Sequence, residues 1–232
     1  MVTALVLGSV VWLGCGGSSV STTVPDPIVR FVNASPDSTA LNFFLNDDVK
    51  ASALPFAGSS PPFESITPDA YDVNVKENGA SLDLDTVVRT FASDEKTLVI
   101  SAGLVDFGTQ FSKRVRLTFT RVDLTPPNGN KSRIVWYHGF IREAGFETPN
   151  IDVASPGDTP TYVSSNIAFG GSAVMDVDAG SQTFDVKRAG TDQIYTSSTL
   201  SFTPGKTYLG LVSGVQGATG TQAPGVRYIL LN

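Results

Sequence analysis

Apolar and polar side chains alternate with period two along much of this chain, which places them on opposite faces of extended segments. In Tyr71-Asp72-Val73-Asn74-Val75-Lys76 every odd-numbered residue is apolar and every even-numbered one polar. Arg114-Val115-Arg116-Leu117-Thr118-Phe119-Thr120 follows the same rule, with Val115, Leu117 and Phe119 facing a core and the polar residues facing outward. Comparable runs predict strands over 28–33, 41–46, 63–66, 84–90 and 97–103, then 133–139, 150–154, 165–169, 173–178, 182–188, 193–200, 206–213 and 225–231. No stretch sustains the i, i+3, i+4, i+7 apolar spacing of an amphipathic helix. The expected fold class is all-β, built from half-buried antiparallel strands.

The chain also repeats itself. Leu54-Pro55-Phe56-Ala57-Gly58-Ser59 pairs with Ile167-Ala168-Phe169-Gly170-Gly171-Ser172. Tyr71-Asp72-Val73 pairs with Phe184-Asp185-Val186, and Lys96-Thr97-Leu98-Val99 with Lys206-Thr207-Tyr208-Leu209. Gly108-Thr109-Gln110 matches Gly220-Thr221-Gln222, and Val115-Arg116-Leu117 matches Val226-Arg227-Tyr228. The matches keep their order at a near-constant offset, which predicts two tandem domains, 28–125 and 126–232. Pro126-Pro127 and Asn128-Gly129 punctuate the junction. Seven or so short strands per copy of about 100 residues fit immunoglobulin-like β-sandwiches, with a tight barrel as the other arrangement.

Composition changes that picture little but narrows the partners. The 232 residues are 41% hydrophobic, enough for real cores, and carry a formal net charge of −6 with no Lys/Arg cluster. A nucleic acid partner is not expected. The single cysteine, Cys15, rules out an intrachain disulfide and a cysteine-based zinc site.

Val2 to Gly14 form an uncharged, mostly apolar run, shorter than a membrane-spanning helix needs and suited to a signal peptide. Trp12-Leu13-Gly14-Cys15, followed by Gly16-Gly17-Ser18-Ser19, resembles a bacterial lipoprotein cleavage site. The resemblance implies a signal peptide over 1–14 and diacylglyceryl attachment at Cys15, which would tether the protein to a lipid bilayer. The competing reading is an incidental thiol in an exported segment. Residues 15–27, rich in Gly, Ser and Thr, read as a flexible linker.

"VRFVNASPDSTALNFFLND", then "LPFAG", "AYDVNVKENG" and "KTLVISAG" resemble the bacterial domain of unknown function DUF4397. That resemblance covers residues 28 to 123 and implies a repeated, extracytoplasmic setting, with no activity to carry over. The second copy lacks the Ala-Ser-Pro-Asp segment. Within Asn33-Ala34-Ser35-Pro36-Asp37, Pro36 presets a turn and Ser35 and Asp37 can bond nearby amides, so the segment reads as a strand-ending turn.

Catalysis is hard to stage on this sequence. The only imidazole is His138, in an alternating run, and no HExxH, GxSxG or Gly-rich phosphate loop occurs. No catalytic, cofactor-binding or metal-ligating residue is assigned. The acids Asp47-Asp48, Asp83 with Asp85, Asp94-Glu95, and Asp176 with Asp178 read as solvated or turn residues, with a hard cation as the competing role for the two same-face pairs. Trp136 and Tyr137 are adjacent on one strand and face opposite sides, so one should point outward, and Trp136 is the candidate ligand contact. The expected protein is a non-catalytic envelope lipoprotein, lipid-anchored and extracytoplasmic at the outer membrane or cell surface. It would serve adhesion or envelope structure by binding an extracellular polymer or surface protein. The alternative is a carbohydrate-binding or carbohydrate-active protein using an acidic pair and an exposed Trp.

Overall fold

A computed structural model describes residues 24–142 and 148–232. The first half contains β1 (Ile28–Ala34), β2 (Leu41–Leu45), β3 (Asp48–Leu54), β4 (Glu64–Ser65), β5 (Asp69–Glu77), β6 (Asp83–Phe91), β7 (Lys96–Ala102) and β8 (Arg116–Arg121). The second contains β9 (Lys131–Ile141), β10 (Ile151–Ala154), β11 (Val163–Ile167), β12 (Ser172–Asp178), β13 (Gly180–Arg188), β14 (Ile194–Phe202), β15 (Thr207–Val215) and β16 (Gly225–Leu230). The only helical pieces among the described residues are two 3-10 turns, Phe111–Lys113 and Gly220–Gln222. No helix of the described residues is long and apolar enough to cross a membrane.

Four sheets result, ordered β4-β1-β7-β8, β3-β2-β5-β6, β12-β9-β15-β16 and β11-β10-β13-β14. Shifting each label of the first pair by eight gives the second pair, so both halves are sandwiches of one topology. Registers agree as well: Leu41 faces Glu77 and Phe43 faces Val75, as Ile151 faces Arg188 and Val153 faces Val186. By these pairings Val73, not Tyr71, occupies the place of Phe184. The sequence match was two residues out of register, a slip that leaves every side chain on its correct face. The pairs β1·β7 and β9·β15 are parallel, where antiparallel strands were expected. Alternation carries no direction, and the chain crosses the other sheet between these partners, which is the long connection a parallel pair needs.

Each sandwich has its own core. Phe31, Phe43, Val73, Val75, Phe91 and Val99 fill the first, and Ile134, Trp136, Phe140, Phe184, Val186 and Phe202 the second. A third apolar cluster lies between the sandwiches: Val32, Ala34, Leu98, Ile100, Val135, Tyr137, Leu209 and Leu211. These residues come from β1, β7, β9 and β15, so the sheets that contain those strands are inner sheets covered on both faces. The other two are outer sheets, and the molecule is a four-layer stack. The polar face expected on the inner strands is a seam instead, where Thr118 Oγ1 and Tyr137 Oη hydrogen-bond at 2.7 Å. Arg30 Nη1 also crosses it to the Leu230 carbonyl at 2.7 Å.

The seam is close to two-fold symmetric. Asn33 N donates to Gly58 O and Ala57 N to Asn33 O, as His138 N donates to Gly171 O and Gly170 N to His138 O. Asn33 and His138 are therefore equivalent, and so are the next residues, Ala34 and Gly139. Those two meet: a Cβ on Gly139 would sit 3.3 Å from the Cβ of Ala34. Shared apolar burial makes the sandwiches one cooperative unit, and calorimetry should show a single endotherm with equal van't Hoff and calorimetric enthalpies. Gly139→Leu should wedge the seam and cost roughly 2–3 kcal/mol, whereas two resolved endotherms in the unmodified chain would mean that the seam does not couple them.

Candidate functional site

The Asn33–Asp37 segment is a structural clasp. Asn33 is fully buried, and its Nδ2 donates to Ser38 Oγ (2.9 Å) and the Leu54 carbonyl (3.0 Å), while Oδ1 accepts from Ser35 N (2.9 Å). A buried amide with its bonds made stabilises one arrangement of the β1 end. Asp37 does not bond nearby amides as expected; Oδ1 and Oδ2 accept from Val105 N and Asp106 N, each at 2.9 Å, and so pin the β7–β8 loop. The Ser35 hydroxyl is buried without a partner.

The two residues expected to carry surface chemistry are both interior. Trp136 is 0% exposed, edge-on to Phe184 and Tyr228 in the second core. Tyr137, also 0% exposed, fills the seam. The expectation that one of this pair faces solvent fails because both faces of β9 are covered, so Trp136 offers no ligand contact and the alternative built on an exposed Trp loses that residue. His138 is buried too. Its Nε2 lies 3.0 Å from the Pro149 carbonyl, which makes Nε2 the protonated nitrogen, and Nδ1 has no partner. Desolvation lowers its pKa to about 4, against a smaller upward pull from the Pro149 carbonyl. Cys15 lies outside the described residues.

The acids are dispersed. Asp83 pairs with Lys76, Asp94 with Lys96, Asp176 with Arg133 and Asp178 with Lys131. Asp85 accepts from Leu117 N at 2.7 Å. Glu95 is buried between Arg89 (2.6 Å) and Arg121 (3.1 Å) and also accepts from Thr97 Oγ1 and Ala92 N. Burial alone would raise its pKa, but the Arg121, Thr97 and Ala92 hydrogen bonds and the Arg89 charge outweigh it and hold it at about 2. Among the described residues no group of three or more His, Cys, Asp or Glu could hold a metal ion.

What remains open is a groove of about 630 Å³ on the second outer sheet, lined by Asp152, Ala154, Asp185, Lys187, Val163 and Ile194 with the loop acids Asp158 and Asp192. No motif marks it, because it exists by contrast with the first outer sheet. Register places Ala154 where the first sandwich has Phe44, Asp152 where it has Asn42, and Asp185 where it has Asn74. The Phe44 ring stands on its sheet with Lys76 Nζ 5.1 Å from the centroid; at Ala154 the ring is missing and the sheet is hollow. Asp152 is structural, accepting from Asn166 N (2.7 Å) and Gly190 N (3.0 Å), which ties two loops to the groove floor. Asp185, 7% exposed, accepts from Ser197 Oγ at 2.5 Å through Oδ1.

Three effects should be measurable in denaturant titrations. Ser35→Ala should leave stability unchanged or slightly raised, since an unpartnered buried hydroxyl is lost, while Asp37→Ala strands two loop amides and should cost about 1–2 kcal/mol. For pH, both groups are depressed in the fold: His138 falls from 6.5 to about 4 and Glu95 from 4.5 to about 2. Unfolded chains then bind more protons, so stability is full above about 6.5 and declines as pH falls, through His138 first and Glu95 below about 4.5. Replacing His138 with Gln should flatten the upper limb alone; an unchanged limb would mean that His138 titrates normally.

No curated protein matches the sequence. Among solved structures, the carbohydrate-binding module of family 26 from Eubacterium rectale Amy13K, in complex with maltoheptaose, is 12% identical with a TM-score of 0.27, covering 87% of this chain and 96% of its own. A candidate adhesin from Bacteroides ovatus is 12% identical with a TM-score of 0.26, covering 88% and 95%. A candidate cell adhesion protein from Bacteroides ovatus is 10% identical with a TM-score of 0.24, covering 90% and 97%. The model of a domain of unknown function, DUF4397, matches residues 27–154, running through the first sandwich and on across β9 and β10. With more than half of its length matched, the chain belongs to the DUF4397 family.

Proposed function

We propose that this protein is a non-catalytic binding module of the bacterial cell envelope, serving adhesion or envelope structure and held at the membrane by a lipid on Cys15. The observation that carries the reading is the contrast between interior and surface: the only imidazole is sealed in the second sandwich, while an open groove lies on its outer sheet. A hydrolytic site needs a base or acid pair with access to substrate. Here His138 is occluded, Glu95 is locked between two arginines, and Asp83, Asp85, Asp94, Asp176 and Asp178 each hold a different lysine, arginine or backbone amide. Binding through a surface groove requires only the rigid sheet that is present. The lipid tether follows from the Cys15 segment and the linker behind it, which would carry the stack off the bilayer.

Binding of the protein to arrays of glycans, cell-wall polymers and envelope or matrix proteins, with recovery and mass analysis of each bound ligand, tests this reading. An intact ligand retained by the protein is the expected result, and turnover of any ligand would overturn the non-catalytic assignment. In cells, a fatty-acid label should attach to the wild-type protein and be absent from Cys15→Ser, which should partition into the aqueous phase of a detergent extraction.

A further inference from the structure

We infer that β14, an edge strand of the second outer sheet, docks a second copy of this chain: two β14 strands pair antiparallel about Thr199 and join the outer sheets of two molecules. An edge strand offers a row of unpaired backbone N–H and C=O groups, which a strand of another molecule can complete. β14 pairs only with β13, and among the described residues no backbone group of 194–202 bonds to any other element. From Thr196 to Phe202 its register is unbroken.

The other edges are blunted. β4 has two residues, β3 carries Asp48 and Lys50 with a positive φ at Ala53, and β11 has five residues with a positive φ at Asn166. β6 carries Asp83, Asp85 and Arg89. On the remaining three an edge group is already taken: Asp85 accepts from the Leu117 amide of β8, Arg30 donates to the Leu230 carbonyl of β16, and Tyr162 Oη accepts from the Asp178 amide of β12. Charges, kinks, short lengths and capped backbone groups are the devices that keep edges from joining. β14, nine residues from Ile194 to Phe202, has none of them.

Charge and side-chain size select a second copy as the occupant. The exposed inner positions of the strand are Ser197, Thr199 and Ser201, all small and uncharged. The first two are turned back onto β13, where Ser197 Oγ donates to Asp185 and Thr199 Oγ1 lies 2.7 Å from Thr183 Oγ1. Two such edges can approach without bringing like charges together, although the whole chain carries −6. Residues 193–205 hold no charge, and that run is bounded by Asp192 and Lys206, each seven residues from Thr199. Among the described residues neither takes part in an ion pair. An antiparallel pair centred on Thr199 sets the Asp192 end of each strand against the Lys206 end of the other, whereas a parallel pair would set like ends together.

The test uses the full chain carrying Cys15→Ser, so that no lipid drives association. Sedimentation velocity over about 5–500 μM should show a concentration-dependent doubling of mass. Thr199→Lys places two ammonium groups at the centre of the pair and should raise the dissociation constant about tenfold or more. Val88→Lys, at the equivalent position of β6, should leave it unchanged; both sites are exposed, and thermal melting checks that both variants fold. For the register, Thr199→Cys in the same background puts the sole cysteine of each copy at the centre, within disulfide reach of its counterpart. Oxidised glutathione should then yield a covalent dimer, and far less of one from Val88→Cys. Three results would overturn the inference: a monomer throughout the range, a dimer that Thr199→Lys leaves intact or Val88→Lys weakens as much, or equal cross-linking of the two cysteine variants.

Discussion

Burial on both faces of the two inner sheets is the constraint from which the rest of the architecture follows. A sandwich normally needs one apolar face per sheet, but β7 runs Leu98-Val99-Ile100 with all three at 0% exposure. Such a strand cannot be left half-solvated, since each exposed Leu or Ile would forfeit about 1.5–3 kcal/mol of burial. The second sandwich meets it with Val135, Tyr137, Leu209 and Leu211, an apolar set of the same kind. Parallel pairs sit where sheets are covered on both sides, in keeping with the continuous apolar character of buried parallel strands. The close approach of Ala34 and Gly139 follows, because only small residues fit where two sheets meet near a two-fold axis.

A fixed seam leaves the outer sheets free to differ. Their frameworks match strand for strand, yet Phe44 gives way to Ala154, and Asn42 and Asn74 to Asp152 and Asp185. These exchanges alter surface shape and charge while leaving the inward residues Phe43, Val75, Val153 and Val186 at 0% exposure. Asp152 marks the limit of that freedom, since its carboxylate now holds the amides of Asn166 and Gly190.

Much of the scaffold was legible in the residues. Alternation located fifteen of the sixteen strands; β3 escaped because Asp48–Leu54 has only two buried positions, Ala51 and Leu54, and a positive φ of 50° at Ala53. The internal repeat showed two units but not their contact, which depends on which face of an apolar run meets which neighbour. Trp136 was misplaced for the same reason: adjacent residues on a strand must face opposite ways, but the chain does not say that both sides are occupied. The Asp37 clasp spans 68 residues to Val105 and has no local signature. The groove was invisible because its defining residue is an alanine, significant only once Phe44 is known to share its position.

The order of layers also decides how the protein presents itself. Residues 24–27 lead into β1, a strand of an inner sheet, so the chain enters the fold near the middle of the stack and not at either flank. Three sheet-to-sheet spacings put the outer faces about 30 Å apart, looking in opposite directions. The Phe44 face and the Ala154 face therefore look away from each other, and a contact made with one leaves the other uncovered.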